Sequence, residues 1–299
     1  MCDNPYLAIK RGDIIHKKLP DGSTYRKVYT EDVETRCGKC PVCRKRYVSD
    51  YTIRLQEEDK VSSSSFFITL TYAPEHVPLT ETNQMTLVKQ HHKNFIKALR
   101  KRNKATIRYF GVGEYGDLGS RPHYHIILFN LEDAKLIGKS KEGYPEYYSK
   151  AVDKSWNKGN IQIRAVGFES IAYTLSYMNK GRKIGHHPND PREPEFNLKS
   201  KGLGKAWLTE ENIKQAILQG RNYMTVNGYK KPMPRYYKDK IFDEEQKQFF
   251  RMKAEKEKQN RIEKRQREYD KKYKTKKINI LDIEDQERYA RGLKFNNQN

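Results

Sequence analysis

Two histidines in the stretch GSRPHYHIILF, His123 and His125, are separated by a single residue. Successive side chains of a strand point to opposite faces, so both imidazoles share one face while Tyr124 lies on the other. Two imidazoles on one face can hold a divalent metal ion, although ordinary hydrogen-bonded histidines give the same short pattern. Glu114, in the preceding stretch VGEYG, adds a carboxylate oxygen if the two strands are neighbours, and otherwise is a surface turn residue. We therefore predict a metal site of two imidazoles and one carboxylate that can accept a phosphate oxygen.

A second set of reactive side chains follows in the stretch AYTLSYMNK. Tyr173, Tyr177 and Lys180 are spaced by four and three residues, so a helix places all three on one face. Tyrosine, with a reference pKa of about 10, is a weak nucleophile at neutral pH, but a nearby ammonium group stabilises its phenolate. This combination suits attack on phosphorus, whereas an aromatic stripe packed in a core would show the same spacing.

The cysteines suggest a separate metal site. Three of them follow the pattern C-x2-C-x2-C at Cys37, Cys40 and Cys43, and Cys2 is the only other cysteine. Four thiols in a protein expected in the cytosol fit a structural Zn²⁺ better than disulfides, with Cys2 completing the tetrahedron. An iron–sulfur cluster and plain reduced thiols are the alternatives.

The charge of the chain predicts a polyanionic partner. Among its 299 residues, 60 lysines and arginines face 38 aspartates and glutamates, a formal net charge of +22, and 21 residues are tyrosines. Such a field attracts nucleic acid, and tyrosine rings stack on bases, although a merely basic protein would carry the same charge. We expect four residues in particular to bind DNA: Arg44, Lys45 and Arg46, which follow the cysteines, and Arg121, which precedes the histidines.

The elements that must position these side chains lie in residues 65–180, where strand and helix patterns alternate. The predicted strands are 66–72, 106–116, 122–130 and 157–166, and the predicted helices are 86–102 and 168–181. The short GDLGSR connection makes the second and third strands antiparallel neighbours. Further along, we expect a loop or mobile segment at 182–206, a capped helix at 209–220 and a hairpin turning at Asn227-Gly228.

Taken together, the stretches FFITLTY, GEYG…RPHYH and YTLSYMNK resemble the motif series of HUH rolling-circle replication initiators. In particular they are similar to the replication initiation proteins of gokushovirus-type microviruses, which are small single-stranded DNA bacteriophages. CGKCPVCRKRY and KKPMPRYYKDK also resemble that group, so the resemblance covers about residues 2–242. The nucleophilic tyrosines follow the histidine motif, whereas in conjugative relaxases they precede it.

The resemblance implies an α+β fold with a central antiparallel sheet flanked by helices. It implies an N-terminal Cys-rich basic segment at 1–60, an HUH endonuclease domain at 61–242 and a charged helical or disordered tail at 243–299. It also implies that His123, His125 and Glu114 bind Mg²⁺ or Mn²⁺ and that Tyr173 and Tyr177 face the metal.

The implied reaction is metal-dependent nicking of single-stranded origin DNA, which leaves a 3′-OH primer and a 5′-phosphotyrosine link, followed by strand transfer that closes circles. Lys180 would position the phosphate or lower the tyrosine pKa. Because no GxxxxGK[ST] phosphate loop is present, a helicase and a DNA polymerase would come from the host. The sequence has no apolar run of about 18–20 residues and no signal-peptide pattern, so we expect the cytoplasm of the bacterial host cell and no membrane partner.

Two other functions fit parts of the sequence. A non-catalytic nucleic-acid-binding protein needs only the basic charge and the tyrosines, and it gives no reason for the histidine and tyrosine motifs in this order. A metal-dependent hydrolase would use the histidines on a water molecule and leave the tyrosines idle.

Overall fold

The computed structural model describes residues 6–18, 24–38, 40–116, 119–141, 143–166, 171, 175, 189–272, 281 and 286, the first two of these ranges as far as residue 35 by backbone alone. Its contacts separate two compact units. One unit comprises Met1–Tyr47 and Met252–Asn299, and the other comprises Val48–Arg251.

The first unit contains an antiparallel hairpin, the cysteine pattern and parts of two helices. The hairpin strands are β1 (Tyr6–Lys18) and β2 (Thr24–Thr35), paired from Tyr6 opposite Thr35 with a register shift between Arg11 and Ile14. Helix α1 (Pro41–Asp59) begins directly after Cys40 and continues into the second unit.

The second unit is built on a seven-stranded antiparallel sheet in the order β6-β7-β8-β3-β5-β4-β9. Its strands are β3 (Ser65–Thr71), β4 (Arg108–Tyr115), β5 (Pro122–Phe129), β6 (Lys135–Lys139), β7 (Pro145–Tyr148), β8 (Ile161–Ala165) and β9 (Phe196–Lys199). Alternating burial along β3 gives the sheet two faces of different character.

One face of the sheet is covered by α2 (Lys89–Arg100) and α3 (Lys150–Trp156). The main hydrophobic core lies between them, and its strand residues include Ile68, Leu70, Tyr124, Ile126 and Leu128. The apolar positions of α2 at Phe95, Ile96 and Leu99 follow helical spacing and are buried in this core.

Helix α1 packs on the opposite face, at the end of the sheet away from the paired histidines. The Tyr51 ring lies 5.2 Å from the ring of Phe110, which points to the same face as Glu114 because the two residues are four apart on β4. The two ends of this face therefore differ, since one is packed under a helix and the other carries Glu114, His123 and His125.

A smaller core forms between α1 and the segments after the sheet. These segments are α4 (Glu210–Leu218), β10 (Tyr223–Val226), β11 (Tyr229–Pro232), α5 (Arg235–Ile241) and α6 (Glu244–Lys272). Ile53 of α1 is buried there with Met224 and Tyr237. No described residue of α6 is buried, so most of its length makes no core.

The predicted strands and the helices at 86–102 and 209–220 are confirmed, and Thr209 caps α4 by accepting a hydrogen bond from Asn212 N. The hairpin turn at Asn227-Gly228 is confirmed too, with φ of 50° and 78°. Ile171 and Leu175 are helical and buried, and the rest of the predicted helix 168–181 lies outside the described residues.

Two expectations are wrong in part. Residues 196–199, expected in a loop or mobile segment, form edge strand β9, which pairs with β4 from Phe110 opposite Lys199 to Gly113 opposite Phe196. The basic N-terminal segment 1–60 is not polar throughout, because α1 buries Ile53 and Leu55. The α+β class with a central antiparallel sheet is confirmed, and among the described helices none is long and apolar enough to cross a membrane.

Candidate metal centre

Strand register brings the predicted metal ligands together. Glu114 on β4 lies directly opposite His123 on β5. On the other side of β5, Thr71 lies opposite His123 and Thr69 lies opposite His125. Because paired residues of antiparallel strands point to the same side, all five side chains share one face of the sheet.

The three predicted ligands form a nearly equilateral triangle of donor atoms. His123 Nε2 lies 3.1 Å from Glu114 Oε1 and 3.1 Å from His125 Nε2, and His125 Nε2 lies 3.2 Å from Glu114 Oε1. Glu114 is only 3% exposed and His125 6% exposed, so the triangle is largely shielded from water.

Contacts behind the triangle orient the two imidazoles. His123 Nδ1 lies 3.0 Å from the carbonyl oxygen of Arg121. Since a carbonyl only accepts, this nitrogen carries the proton, and Nε2 of the neutral ring presents a lone pair. His125 Nδ1 lies 3.1 Å from Thr69 Oγ1, and the Phe67 ring stacks on the His125 ring at 5.1 Å with an interplanar angle of 18°.

The Glu114 carboxylate stays ionised at this position. Burial by itself raises the pKa of Glu114, but the hydrogen bonds with His123 and His125 outweigh burial and lower the pKa to about 2. An ionised oxygen and two imidazole nitrogens therefore meet within about 3 Å, an arrangement that needs a cation or a shared proton between them.

The size of the triangle fits a metal ion. Three ligands at right angles to one another and 3.1 Å apart lie about 2.2 Å from a common centre, close to the bonds of roughly 2.0–2.2 Å that divalent ions form with nitrogen and oxygen. Two imidazoles and one carboxylate on one side of an ion leave its other coordination positions open. Glu114, His123 and His125 can thus hold a divalent ion that also binds a substrate oxygen.

A second group of possible metal ligands lies in the first unit. One ligand atom from each of Cys37, Cys40 and Cys43 lies within 4.8 Å of the other two, and Cys40 and Cys43 are buried. The backbone N–H of Cys40 donates a hydrogen bond to Cys37 Sγ at 3.3 Å, a contact that stabilises a thiolate. Three converging thiols make this cluster a possible metal site.

The site-bearing part of the chain matches known replication proteins. A family model described as a replication-associated protein of the ORF2 type matches residues 65–182. Replication-associated protein ORF2 of Spiroplasma virus 4 is 30% identical over 272 residues, which cover 86% of this chain and 84% of that protein. The chain belongs to the ORF2 family of replication-associated proteins.

Two further relatives support membership of this family. Replication-associated protein VP4 of Bdellovibrio phage phiMH2K is 31% identical over 210 residues, covering 68% of this chain and 66% of that protein. Replication-associated protein ORF4 of Chlamydia phage 1 is 24% identical over 229 residues, covering 72% of this chain and 55% of that protein. No solved structure matches the chain.

The other predicted site residues are distributed as follows. Tyr173, Tyr177 and Lys180 lie within the family match but outside the described residues, as does Cys2 outside the match. The basic residues predicted to bind DNA after the cysteines, Arg44, Lys45 and Arg46, lie in the first two turns of α1. These roles stay predictions.

Arg121 makes two contacts that sequence reasoning did not anticipate. Its guanidinium Nη2 donates to the Tyr72 carbonyl at 2.7 Å, and its own carbonyl accepts from His123 Nδ1. Thr69 was also missed as a partner of His125. The signal for it was present, because Thr69 and Thr71 interrupt the apolar run FFITLTY at alternate positions on the face of the histidines.

Proposed function

We propose that this chain is a rolling-circle replication initiator that nicks and rejoins single-stranded DNA at a phage origin. The observation that carries the proposal is the triangle of Glu114, His123 and His125 on one sheet face of a replication-associated family member. The formal charge of +22 supports a nucleic-acid substrate.

In this proposal the chain's own groups divide the reaction among themselves. Glu114, His123 and His125 would hold a divalent ion, Mg²⁺ or Mn²⁺, which when bound supplies positive charge to the scissile phosphate. The oxygen of Tyr173 or Tyr177 attacks phosphorus while the bond from phosphorus to the 3′ oxygen breaks. The tyrosine proton is lost to solvent, the departing oxygen takes up a proton as a free 3′-OH, and a 5′-phosphotyrosine link remains. Lys180 stabilises the phenolate.

The covalent link preserves the phosphodiester for a later transfer. Attack by a 3′-OH on the phosphotyrosine would reverse the chemistry and close a circle. Because a regenerated origin must be cut while the first link persists, a second tyrosine on the same helix face gives the second nucleophile. The host helicase and DNA polymerase would unwind and extend the DNA in the cytoplasm of the bacterial host cell.

The test uses the full-length protein, end-labelled single-stranded origin DNA and Mn²⁺. After denaturation, strand transfer gives a DNA-linked protein band, metal-dependent hydrolysis gives cleavage without such a band, and a pure binding protein gives neither. We expect the band from wild type and its loss in His123→Ala, His125→Ala and Glu114→Gln.

Matched controls separate the metal site from general effects of substitution. His76 and Glu75 are exposed and lie outside the triangle, so His76→Ala and Glu75→Gln should retain the band. The triangle variants should bind DNA about as well as wild type, because the basic surface provides most of the affinity. A wild-type level of adduct from any triangle variant would refute the metal assignment.

For the cysteine cluster, we propose a structural Zn²⁺ bound by Cys37, Cys40 and Cys43, with Cys2 as the fourth ligand. The convergence of three sulfur ligands and the N–H···S contact to Cys37 support it. Elemental analysis should find about one zinc per chain, lost in Cys40→Ser. Iron with visible absorbance would indicate an iron–sulfur cluster instead, and a metal-free but stably folded wild type would reject the site.

A further inference from the structure

A groove lies beside the metal triangle on the same face of the sheet. It encloses a cavity of about 450 Å³ whose lining includes Thr69 and Thr71 of β3. These two threonines are the register partners of His125 and His123, so the groove begins one strand away from the histidines. Any strand of DNA whose phosphate lies at the triangle must pass near this groove or away from it.

The lining of the groove is polar but carries no basic side chain among the described residues. Asn160 and Gln162 follow on β8 and its approach, with Gln162 opposite Thr69, and Glu146 of β7 lies beyond them. Gln162 Nε2 donates to Glu146 Oε1 at 3.2 Å. In a chain with 60 lysines and arginines, a groove lined by hydroxyls, amides and a carboxylate is poorly suited to phosphates.

The same groups are well suited to the edges of bases. Carboxamides pair with adenine and carboxylates accept from the amino group of cytosine, whereas thymine offers no amino group. Glu146 has a fixed environment for this role, because Arg164 Nη2 lies 3.9 Å from Glu146 Oε1. The exposed amides of Asn160 and Gln162 leave room for a base in the groove.

An aromatic ring stands at the far side of the groove. Tyr144 is 59% exposed, and the guanidinium of Arg164 lies over its ring at 5.7 Å. Exposed tyrosine rings are stacking platforms for the bases of single-stranded DNA. From β5 across β3 and β8 to β7 there are three inter-strand steps, about 14 Å in all, which accommodates a few nucleotides.

We propose that this groove binds the bases on one side of the scissile phosphate and selects adenine or cytosine over thymine. In it, Gln162 and Glu146 contact the base edge, Asn160 and the two threonines complete the floor, and Tyr144 stacks on a neighbouring base. The inference rests on the proposed function in that it takes the triangle as the place of the scissile phosphate. It assigns the sequence preference to residues outside the triangle.

The test measures binding, so that it does not depend on nicking. Fluorescence anisotropy at fixed salt compares oligo(dA), oligo(dC) and oligo(dT) of equal length on the full-length protein. We expect wild type to bind oligo(dA) or oligo(dC) about fivefold or more tightly than oligo(dT). Gln162→Leu and Glu146→Gln should each bring that ratio to within about twofold of one, as expected when a base-edge contact is removed.

Two further variants make the test specific. Tyr144→Leu should weaken binding of all three oligonucleotides while leaving their ratio unchanged, because stacking is tolerant of sequence. Gln90→Leu, on α2 and therefore on the opposite side of the sheet, is the matched control and should behave as wild type.

The outcomes separate this proposal from the proposed function. Unchanged base ratios in both Gln162→Leu and Glu146→Gln, or a wild type with no preference, would overturn the groove assignment even if the covalent adduct forms normally. Absence of the adduct in wild type, with the base preference present and lost in the two variants, would overturn nicking and retain the groove as a DNA-binding site.

Discussion

Gly111 on β4 allows α2 to lie close to the sheet, and its replacement by alanine tests how the core supports the site. A Cβ atom at Gly111 would lie 2.2 Å from His92 Nε2 and 3.0 Å from His92 Cε1. His92 is completely buried, and its two ring nitrogens have no hydrogen-bond partner, so the ring fills space among Tyr109, Tyr124 and Phe196. To reach an ordinary contact of 3.4 Å, the ring or the helix must move by about 1.2 Å within a close-packed core.

Overpacking of this kind costs about 1–3 kcal/mol, so Gly111→Ala should lower the free energy of unfolding by that amount. The assay is urea unfolding followed by tryptophan fluorescence, since Trp156 lies in this core. A double-mutant cycle with His92→Ala isolates the contact, because removing the imidazole removes the clash. We expect the double mutant to be at least about 1 kcal/mol more stable than the sum of the single effects. Additivity within about 0.5 kcal/mol would refute the reasoning.

Three other substitutions test neighbouring features. Burial lowers the pKa of His92 from 6.5 to about 4, so the unfolded chain binds the proton first; wild type should lose up to about 3 kcal/mol of stability as pH falls from 6.5 to 4, and His92→Ala should lack this loss in urea titrations at each pH. Thr69→Val should weaken Mn²⁺ binding in calorimetry about 10-fold or more by removing the hydroxyl beside His125 Nδ1, while the exposed Thr106→Val should not. Tyr173→Phe and Tyr177→Phe should each still form some covalent adduct but fail to release unit-length circles, and the double variant should form none; one inactive and one fully wild-type single variant would mean that a single tyrosine does all the chemistry.

The metal triangle was predictable because strand geometry is regular. A one-residue spacing fixes His123 and His125 on one face without any tertiary information. Placing Glu114 beside them needed only a short connection between two strands, and the observed register puts it directly opposite His123. Local sequence therefore contained the whole triangle.

Elements that depend on distant partners could not be read in the same way. The four residues of β9 are surrounded by glycines, prolines and charges, and they become a strand because the open edge of β4 offers backbone partners. Likewise β6 and β7 carry exposed residues such as Leu136 and Tyr148, so no buried face marks them in the sequence. The groove beside the triangle depends on β7 and β8 being next to β3, and no local pattern states that order.

Tyr124, between the two histidines, links the metal triangle to the core. Its hydroxyl donates to the Val88 carbonyl at 2.9 Å and lies 2.6 Å from the Tyr72 hydroxyl, so the ring is anchored at its far end as well as packed along its length. Burial raises the pKa of Tyr124 to about 12, which keeps this hydroxyl a neutral donor. Because the side chains of one strand alternate, β5 cannot rotate to move His123 or His125 without withdrawing Tyr124 from these bonds. The rigidity that a metal site needs is therefore supplied from the opposite face of the same strand.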